Sequence, residues 1–316
     1  MSNEPLFLIP CFQERIWGGT ALHDVFHYDI PSSKTGECWA ISAHPNGLSR
    51  IANGKYKGMS LQQLWEEDRS LFGNIQGEKF PLLTKILDAN QNLSIQVHPN
   101  DEYAKTNENG EFGKEECWYV IDCEEGAELI YGHNAKSKEE LQNMITTGQW
   151  DAFLRKVPIK PGDFFYVPSG TVHALGKGTL ILETQQNSDT TYRVYDYDRM
   201  ENGKKRELHL QKAMDVITVP FEDCRQTTYQ TERKEGITKT TFVKSAFFTV
   251  SKWEVRGKTD CYQDEPFLLV SVLTGDGMLG KDDKQYPLRK GDHFILPNQF
   301  GEFIVEGNMD LIVAHV

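Results

Sequence analysis

One stretch of this chain occurs twice. Lys160-Pro-Gly-Asp-Phe-Phe-Tyr-Val-Pro168 reappears as Arg289-Lys-Gly-Asp-His-Phe-Ile-Leu-Pro297, with Gly, Asp, Phe and Pro at the same spacing. A Gly-Asp pair opens a turn, the residues after it read as a strand with Phe on one face, and the proline closes it. The self-similarity suggests two copies of one β unit. Five residues past each proline the copies diverge, to His173 in the first and Glu302 in the second. Only the first therefore offers an imidazole to a metal.

The rest of the chain fits a mainly β protein. Short runs rich in aliphatic and aromatic residues, mostly bounded by Gly, Pro, Asn or Asp, predict strands over 38–43, 80–87, 93–97, 117–121, 129–131, 164–167, 179–184 and 190–197. Further strands are expected over 242–255, 267–273, 294–296 and 303–305. No βαβ rhythm appears, so an antiparallel sandwich or barrel is expected. Helical patterning over 60–69, 137–144, 149–157 and 208–217 predicts a few short helices as covers on the β core. The stretch 222–239 turns polar and reads as an exposed connection, which divides the chain into a body over 1–235 and a second over 236–316.

Composition narrows the partners. With 46 acidic against 34 basic side chains the net charge is −12, which leaves no broad basic face for nucleic acid. An anionic ligand would have to be drawn in by a few locally placed Lys or Arg. The apolar run Leu6–Ile9 between two prolines is too short for a signal segment, and no stretch reaches membrane-spanning length, so a cytoplasmic location without membrane contact is the expectation. Six scattered cysteines without a C-x-x-C pair read as reduced and mostly structural.

Chemistry concentrates in three segments. In Ser94-Ile-Gln-Val-His-Pro-Asn100, strand alternation points Gln96 and His98 to one face, and Ile95 and Val97 to the other. Lys114-Glu-Glu-Cys-Trp-Tyr-Val120 offers carboxylates at a strand entrance, and Val167-Pro-Ser-Gly-Thr-Val-His-Ala174 offers His173 past a turn. Two imidazoles, one carboxylate and an amide oxygen suit zinc, manganese or iron, and suit calcium poorly. Taken singly, each of these residues is more often a surface or hydrogen-bonded core group than a ligand; their joint placement raises the metal reading. Gly275-Asp-Gly277 and Gly18-Gly19 lack the strand-loop-helix context of a nucleotide site, and Ser169 lacks a nucleophile elbow.

Five pieces, in order, resemble type I mannose-6-phosphate isomerases: Phe80-Pro-Leu-Leu-Thr-Lys-Ile-Leu87, Leu93-Ser-Ile-Gln-Val-His-Pro99, Lys114-Glu-Glu-Cys-Trp-Tyr-Val120, Pro168-Ser-Gly-Thr-Val-His-Ala174, and Ile181-Leu-Glu-Thr-Gln185 through Asn187-Ser-Asp-Thr-Thr-Tyr-Arg193. The likeness is strong over roughly the first two thirds and weaker beyond, and the length is that of the short bacterial branch. It implies a double cupin, two β-sandwich or jelly-roll barrels, with one zinc ion per chain held by Gln96, His98, Glu116 and His173. Where the family usually reads Lys-Pro-Glu this chain has Lys114-Glu115-Glu116, so Glu115 is a rival for the ligand position.

The implied reaction interconverts mannose 6-phosphate and fructose 6-phosphate through an enediol, with a small sugar phosphate as the only partner and no obligate protein partner. Arg193 matches the family's catalytic arginine, Glu183 is a candidate base, and Lys114 adds positive charge at the metal rim. Lys85 and Ser94 match positions that contact the phosphate, while Trp39 and His44 resemble residues near the sugar. Bland readings stand beside these: an edge-strand Glu183, a salt-bridged Arg193, and Trp39 and His44 as packing. Two other functions are weighed, an Fe(II) cupin oxygenase and a non-catalytic sugar-binding cupin; Gln96 and Lys85 favour the isomerase over the first, and Arg193 with the four-ligand set over the second.

Overall fold

Alternating apolar and polar residues close into two β bodies in the computed structural model, which describes residues 4–201, 203–225 and 228–316. In the first body a six-stranded sheet runs in the order Phe164–Val167, Glu116–Cys123, Thr179–Gln186, Leu82–Ala89, Thr35–Ile41, Cys11–Gly19. A five-stranded sheet faces it, ordered Tyr192–Tyr195, Ile95–Val97, His173–Leu175, Glu128–His133, Leu154–Pro158. Trp118, Val120, Phe165 and Ile181 from the first sheet pack against Leu129, Tyr131, Val157 and Leu175 from the second, filling one end of the barrel. The helices Lys138–Thr146 and Leu210–Val216 cover the outer face of the five-stranded sheet, burying Leu141, Ile145 and Ala213 against Ile95, Val97 and Val194.

The second body is a nine-stranded antiparallel sheet built on the long strands Thr249–Gln263, Leu268–Lys281 and Gly301–His315. The sequence repeat is reproduced bond for bond. The Asp163 carboxylate accepts the Lys160 amide at 2.9 Å, as Asp292 accepts Arg289 at 2.7 Å. Gly162 and Gly291 donate to the carbonyls of Val120 and Val272, at φ of 92° and 90°, a conformation that favours glycine. In the first copy Val167 lies opposite Glu116, and in the second Leu296 lies opposite Leu268. Leu268 thus holds the place of Glu116, as Glu302 holds that of His173. The mainly β, double-cupin expectation agrees with this architecture.

Several elements differ from the sequence reading. The run 242–255 is two strands, Ile237–Lys244 and Thr249–Gln263, because the Ser245 hydroxyl accepts the amides of Phe247 and Phe248 and folds a turn there. Helix over 149–157 is limited to Trp150–Phe153; Leu154–Pro158 pairs instead with Glu128–His133, burying Leu154 under the helices and Val157 between the two sheets. Within the polar stretch 222–239, of which 226 and 227 lie outside the described residues, Gln230–Lys234 is an exposed edge strand rather than a loop. Leu6–Ile9 is a strand as well, pairing with His293–Leu296 and with Arg50–Ile51, so the nine-stranded sheet draws on chain from both sides of residue 235. Among the described residues no helix is long and apolar enough to cross a membrane, and all six cysteines are unpaired.

A buried hydrogen-bond chain links the two bodies. Tyr28 donates its hydroxyl proton to the Gly291 carbonyl at 2.8 Å, so it must accept from His293 Nε2, also at 2.8 Å. His293 Nδ1 is then the acceptor for the Ser271 hydroxyl at 2.8 Å. Burial pushes the His293 pKa down to about 3, whereas an unfolded imidazole titrates near 6.5. Between those values the unfolded chain binds a proton that the folded one refuses, so stability falls as pH drops through the window. Urea unfolding should therefore lose stability from His293 with a slope approaching ~1.4 kcal/mol per pH unit below pH 6. A His293→Gln chain, less stable at neutral pH, should show a visibly flatter dependence between pH 7 and pH 5.

Candidate active site

Antiparallel register assembles a row of functional side chains on the inner face of the five-stranded sheet. His173 pairs with Gln96, and Gln96 in turn with Arg193. Directly opposite residues share a face, so all three side chains leave their strands on the same side. His98 follows the Ile95–Val97 strand, and Glu116 is the first residue of the strand Glu116–Cys123 in the facing sheet. The two sheets therefore meet around His98, Glu116 and His173, whose ligand atoms all lie within 4.8 Å of one another and are fully buried.

The rings are aimed by the backbone. His98 Nδ1 donates to the Thr190 carbonyl at 2.8 Å and His173 Nδ1 to the Thr171 carbonyl at 2.9 Å, which fixes both tautomers with a lone pair on Nε2. Those Nε2 atoms are 3.2 Å apart and lie 3.4 and 3.3 Å from the carboxylate oxygens of Glu116. The Gln96 amide sits 3.3 Å from His173 Nε2, and a half-turn of the amide presents its oxygen there. Burial and the adjacent Lys114 cation drive the His98 pKa down to about 3, and burial lowers that of His173. Burial alone would raise the Glu116 pKa, yet the Lys114 cation holds it well below the usual carboxylate range. Lys114 Nζ contacts Glu116 at 2.6 Å and His98 Nε2 at 3.2 Å, and the carboxylates of Glu116 and Glu183 keep it protonated despite its burial.

A second row crosses the six-stranded sheet. Trp118, Glu183, Lys85 and Trp39 are successive register partners on four adjacent strands. Glu183 Oε1 lies 3.7 Å from Lys85 and 3.9 Å from Lys114, and its Oε2 accepts the Trp118 indole N–H at 3.0 Å. Burial and the nearby Glu116 charge raise the Glu183 pKa, against the opposing pull of Lys114 and Lys85. The Thr179–Gln186 strand is interior to its sheet, which excludes the edge-strand reading of Glu183. Trp39 carries Lys85 over its ring at 4.6 Å and donates its N–H to Glu37, which is also held by Arg15.

Comparison with known proteins shows what the chain is similar to as a whole. Residues 6–125 match the type I phosphomannose isomerase catalytic domain and residues 238–316 the mannose-6-phosphate isomerase cupin domain. The chain is 59% identical to mannose-6-phosphate isomerase ManA of Bacillus subtilis over the full length of both proteins. It is 55% identical to the mannose-6-phosphate isomerase of Streptococcus mutans, over 99% of this chain and 98% of that one. The crystal structure of the mannose 6-phosphate isomerase from Bacillus subtilis superposes with a TM-score of 0.97 at 58% identity, covering 99% of each chain. The chain belongs to the type I mannose-6-phosphate isomerase family.

Family membership frames the remaining residues. Glu115, the rival for the ligand position, points elsewhere: its carboxylate accepts the Tyr166 hydroxyl and its amide donates to Gln186. Arg193 starts from the same row as Gln96, but its guanidinium donates to the Glu207 carbonyl at 2.8 Å and its Nε is buried without a partner. Among the contacts of the described residues it meets neither Glu116 nor Glu183. Ser94 is buried beside the Ile95–Val97 strand, and His44 packs edge-on against Trp39 with its pKa lowered by burial. Sequence reading missed Trp118 and Glu37 as site residues, although each stands two positions from a residue it singled out, Glu116 and Trp39, and so faces the same way. Elemental analysis of the purified chain should find about one divalent transition-metal ion per chain, and less than about a tenth of that in His98→Ala, because the other ligands cannot replace a fixed imidazole.

Proposed function

We propose that this chain is a zinc-dependent aldose-ketose isomerase that interconverts mannose 6-phosphate and fructose 6-phosphate through an enediol. The observation that carries the reading is the convergence of His98, Glu116 and His173 beside the buried Glu183, which stands between two lysines. The residues fit a metal: Glu116 Oε1 is buried with no hydrogen-bond partner among the described residues, and two imidazole lone pairs face the carboxylate. Nitrogen donors with one carboxylate and an amide oxygen suit zinc, held by Gln96, His98, Glu116 and His173. When bound, such an ion polarises the sugar oxygens and stabilises the charge that builds on the enediolate.

The remaining work falls to the chain's own side chains. Glu183 takes the proton from C2 and returns it to C1; with Oε2 committed to Trp118, Oε1 is the atom that carries it. Its raised pKa makes it a stronger base than an exposed glutamate, and it must be ionised to act. Lys114 and Arg193 supply permanent positive charge for the developing oxyanion, and the buried barrel end keeps bulk water away from it. Lys85 and Ser94 bind the phosphate, with an ammonium and a hydroxyl suited to a dianion. Trp39 and His44 line the sugar cavity. Unpaired cysteines agree with a reducing cytoplasmic location.

A coupled assay of fructose 6-phosphate formation from mannose 6-phosphate tests the reading directly. Activity should vanish on exhaustive chelation and return with zinc; turnover that survives complete metal removal sinks the role of the ion. Arg193→Ala should keep its metal while kcat falls about a hundredfold or more, the usual scale for loss of a charge that stabilises an oxyanion. Because Glu183 must lose its proton to work, the kcat/KM profile should decline with acid at a pH above the ordinary carboxylate value of 4.5.

A further inference from the structure

Trp118 is buried on an interior strand of the six-stranded sheet, two residues after Glu116 and on the same strand face. Its Nε1 donates to Glu183 Oε2 at 3.0 Å, and its ring meets the ring of His173 at 5.3 Å between centroids with planes 74° apart. We infer that Trp118 is a positioning residue for the isomerisation: its N–H sets the carboxylate of Glu183 and its ring sets the imidazole of His173. The inference rests on the proposed role of Glu183 as base.

The distances give the physical reason. Lys114 closes on Glu116 to 2.6 Å, a full contact ion pair, yet Glu183 stands 3.9 Å from Lys114 and 3.7 Å from Lys85. A buried carboxylate between two ammoniums gains by collapsing onto one of them, which would bury its free oxygen against nitrogen and turn it from the sugar. The indole N–H, fixed in a rigid ring held by packing, holds Oε2 on the far side and leaves Oε1 suspended between the two cations. An indole is suited to this because it is a donor only, so it cannot compete for the proton that Glu183 moves. The edge-on contact with His173 places the same ring against a ligand and the base, so their relative position is set by one side chain.

The test uses the whole chain with its metal. Trp118→Phe keeps an aromatic ring beside His173 and loses the donor; kcat should fall about tenfold while KM stays within about twofold and bound metal is unchanged, as expected for one lost hydrogen bond to a charged group. Trp118→Leu, without the ring, should also lose bound metal. In Trp118→Phe combined with Glu183→Gln, the residual turnover should be no lower than in Glu183→Gln alone. Wild-type kcat in Trp118→Phe, or losses that multiply in full in the double variant, overturns the positioning role while a slow Glu183→Gln leaves the base reading standing. Normal turnover in Glu183→Gln overturns the base reading, and the positioning role falls with it. The indole 15N–1H resonance of Trp118 should move in Glu183→Gln, a readout that leaves the indole in place; an unmoved resonance also counts against the contact.

Discussion

Three electron pairs aimed at one point repel one another, and the first barrel is organised around that fact. The carbonyls of Thr190 and Thr171 take the Nδ1 protons of His98 and His173, so both rings turn bare Nε2 lone pairs toward an ionised Glu116. Such an arrangement, fully buried, persists only with positive charge beside it. Lys114 supplies one unit from the rim, 2.6 Å from one carboxylate oxygen, while the other has no hydrogen-bond partner among the described residues. The unmet acceptor and the two lone pairs are what a transition-metal ion answers, and the sheet register maintains the demand.

The duplicated frame clarifies what is structural and what is chemical. Both copies keep the Asp-capped turn, the left-handed glycine and the strand that follows, down to the same backbone bonds. They differ in what the frame presents. Where the first barrel has Glu116 the second has Leu268, packed with Val270, Leu296 and Phe300 in an apolar interior. The backbone scaffold tolerates either filling: the exchanges of Glu116 for Leu268 and of His173 for Glu302 both separate a potential metal site from the second body's interior. The second body contributes instead through Phe248, Phe267, Leu269 and Ile295, which pack against the outer face of the six-stranded sheet.

How much of this was legible depends on how local each determinant is. Gln96 and His98 could be placed on one face from strand period alone, and Phe164–Val167 falls where its Gly-Asp turn predicts. The resemblance puts Glu116 rather than Glu115 in the ligand position, by its place as the motif's third residue, but the physical reason is tertiary: Tyr166 across the sheet engages the Glu115 carboxylate. The row from Trp118 to Trp39 spans four strands brought together from distant parts of the chain, and no single segment encodes it. Residues 149–157 misled because a four-residue helix and a five-residue strand share apolar spacing too short to distinguish the two periods. The stretch 230–234 is so polar that only its pairing with Ile237–Lys244 makes it a strand.

The small strand Leu6–Ile9 has an uneven timetable. Leu8 and Ile9 find Ile51 and Arg50 as soon as that short segment is made, but Leu6 and Phe7 pair with Ile295 and Phe294, nearly the whole chain later. At a synthesis rate of roughly 5–20 residues per second, that half-paired state lasts about twelve to fifty seconds on the ribosome. Throughout that interval Leu6 and Phe7 leave an unfilled seat for a strand beside them. The pair of prolines around it, poor partners for any stray ladder, guard the seat until the right occupant is made.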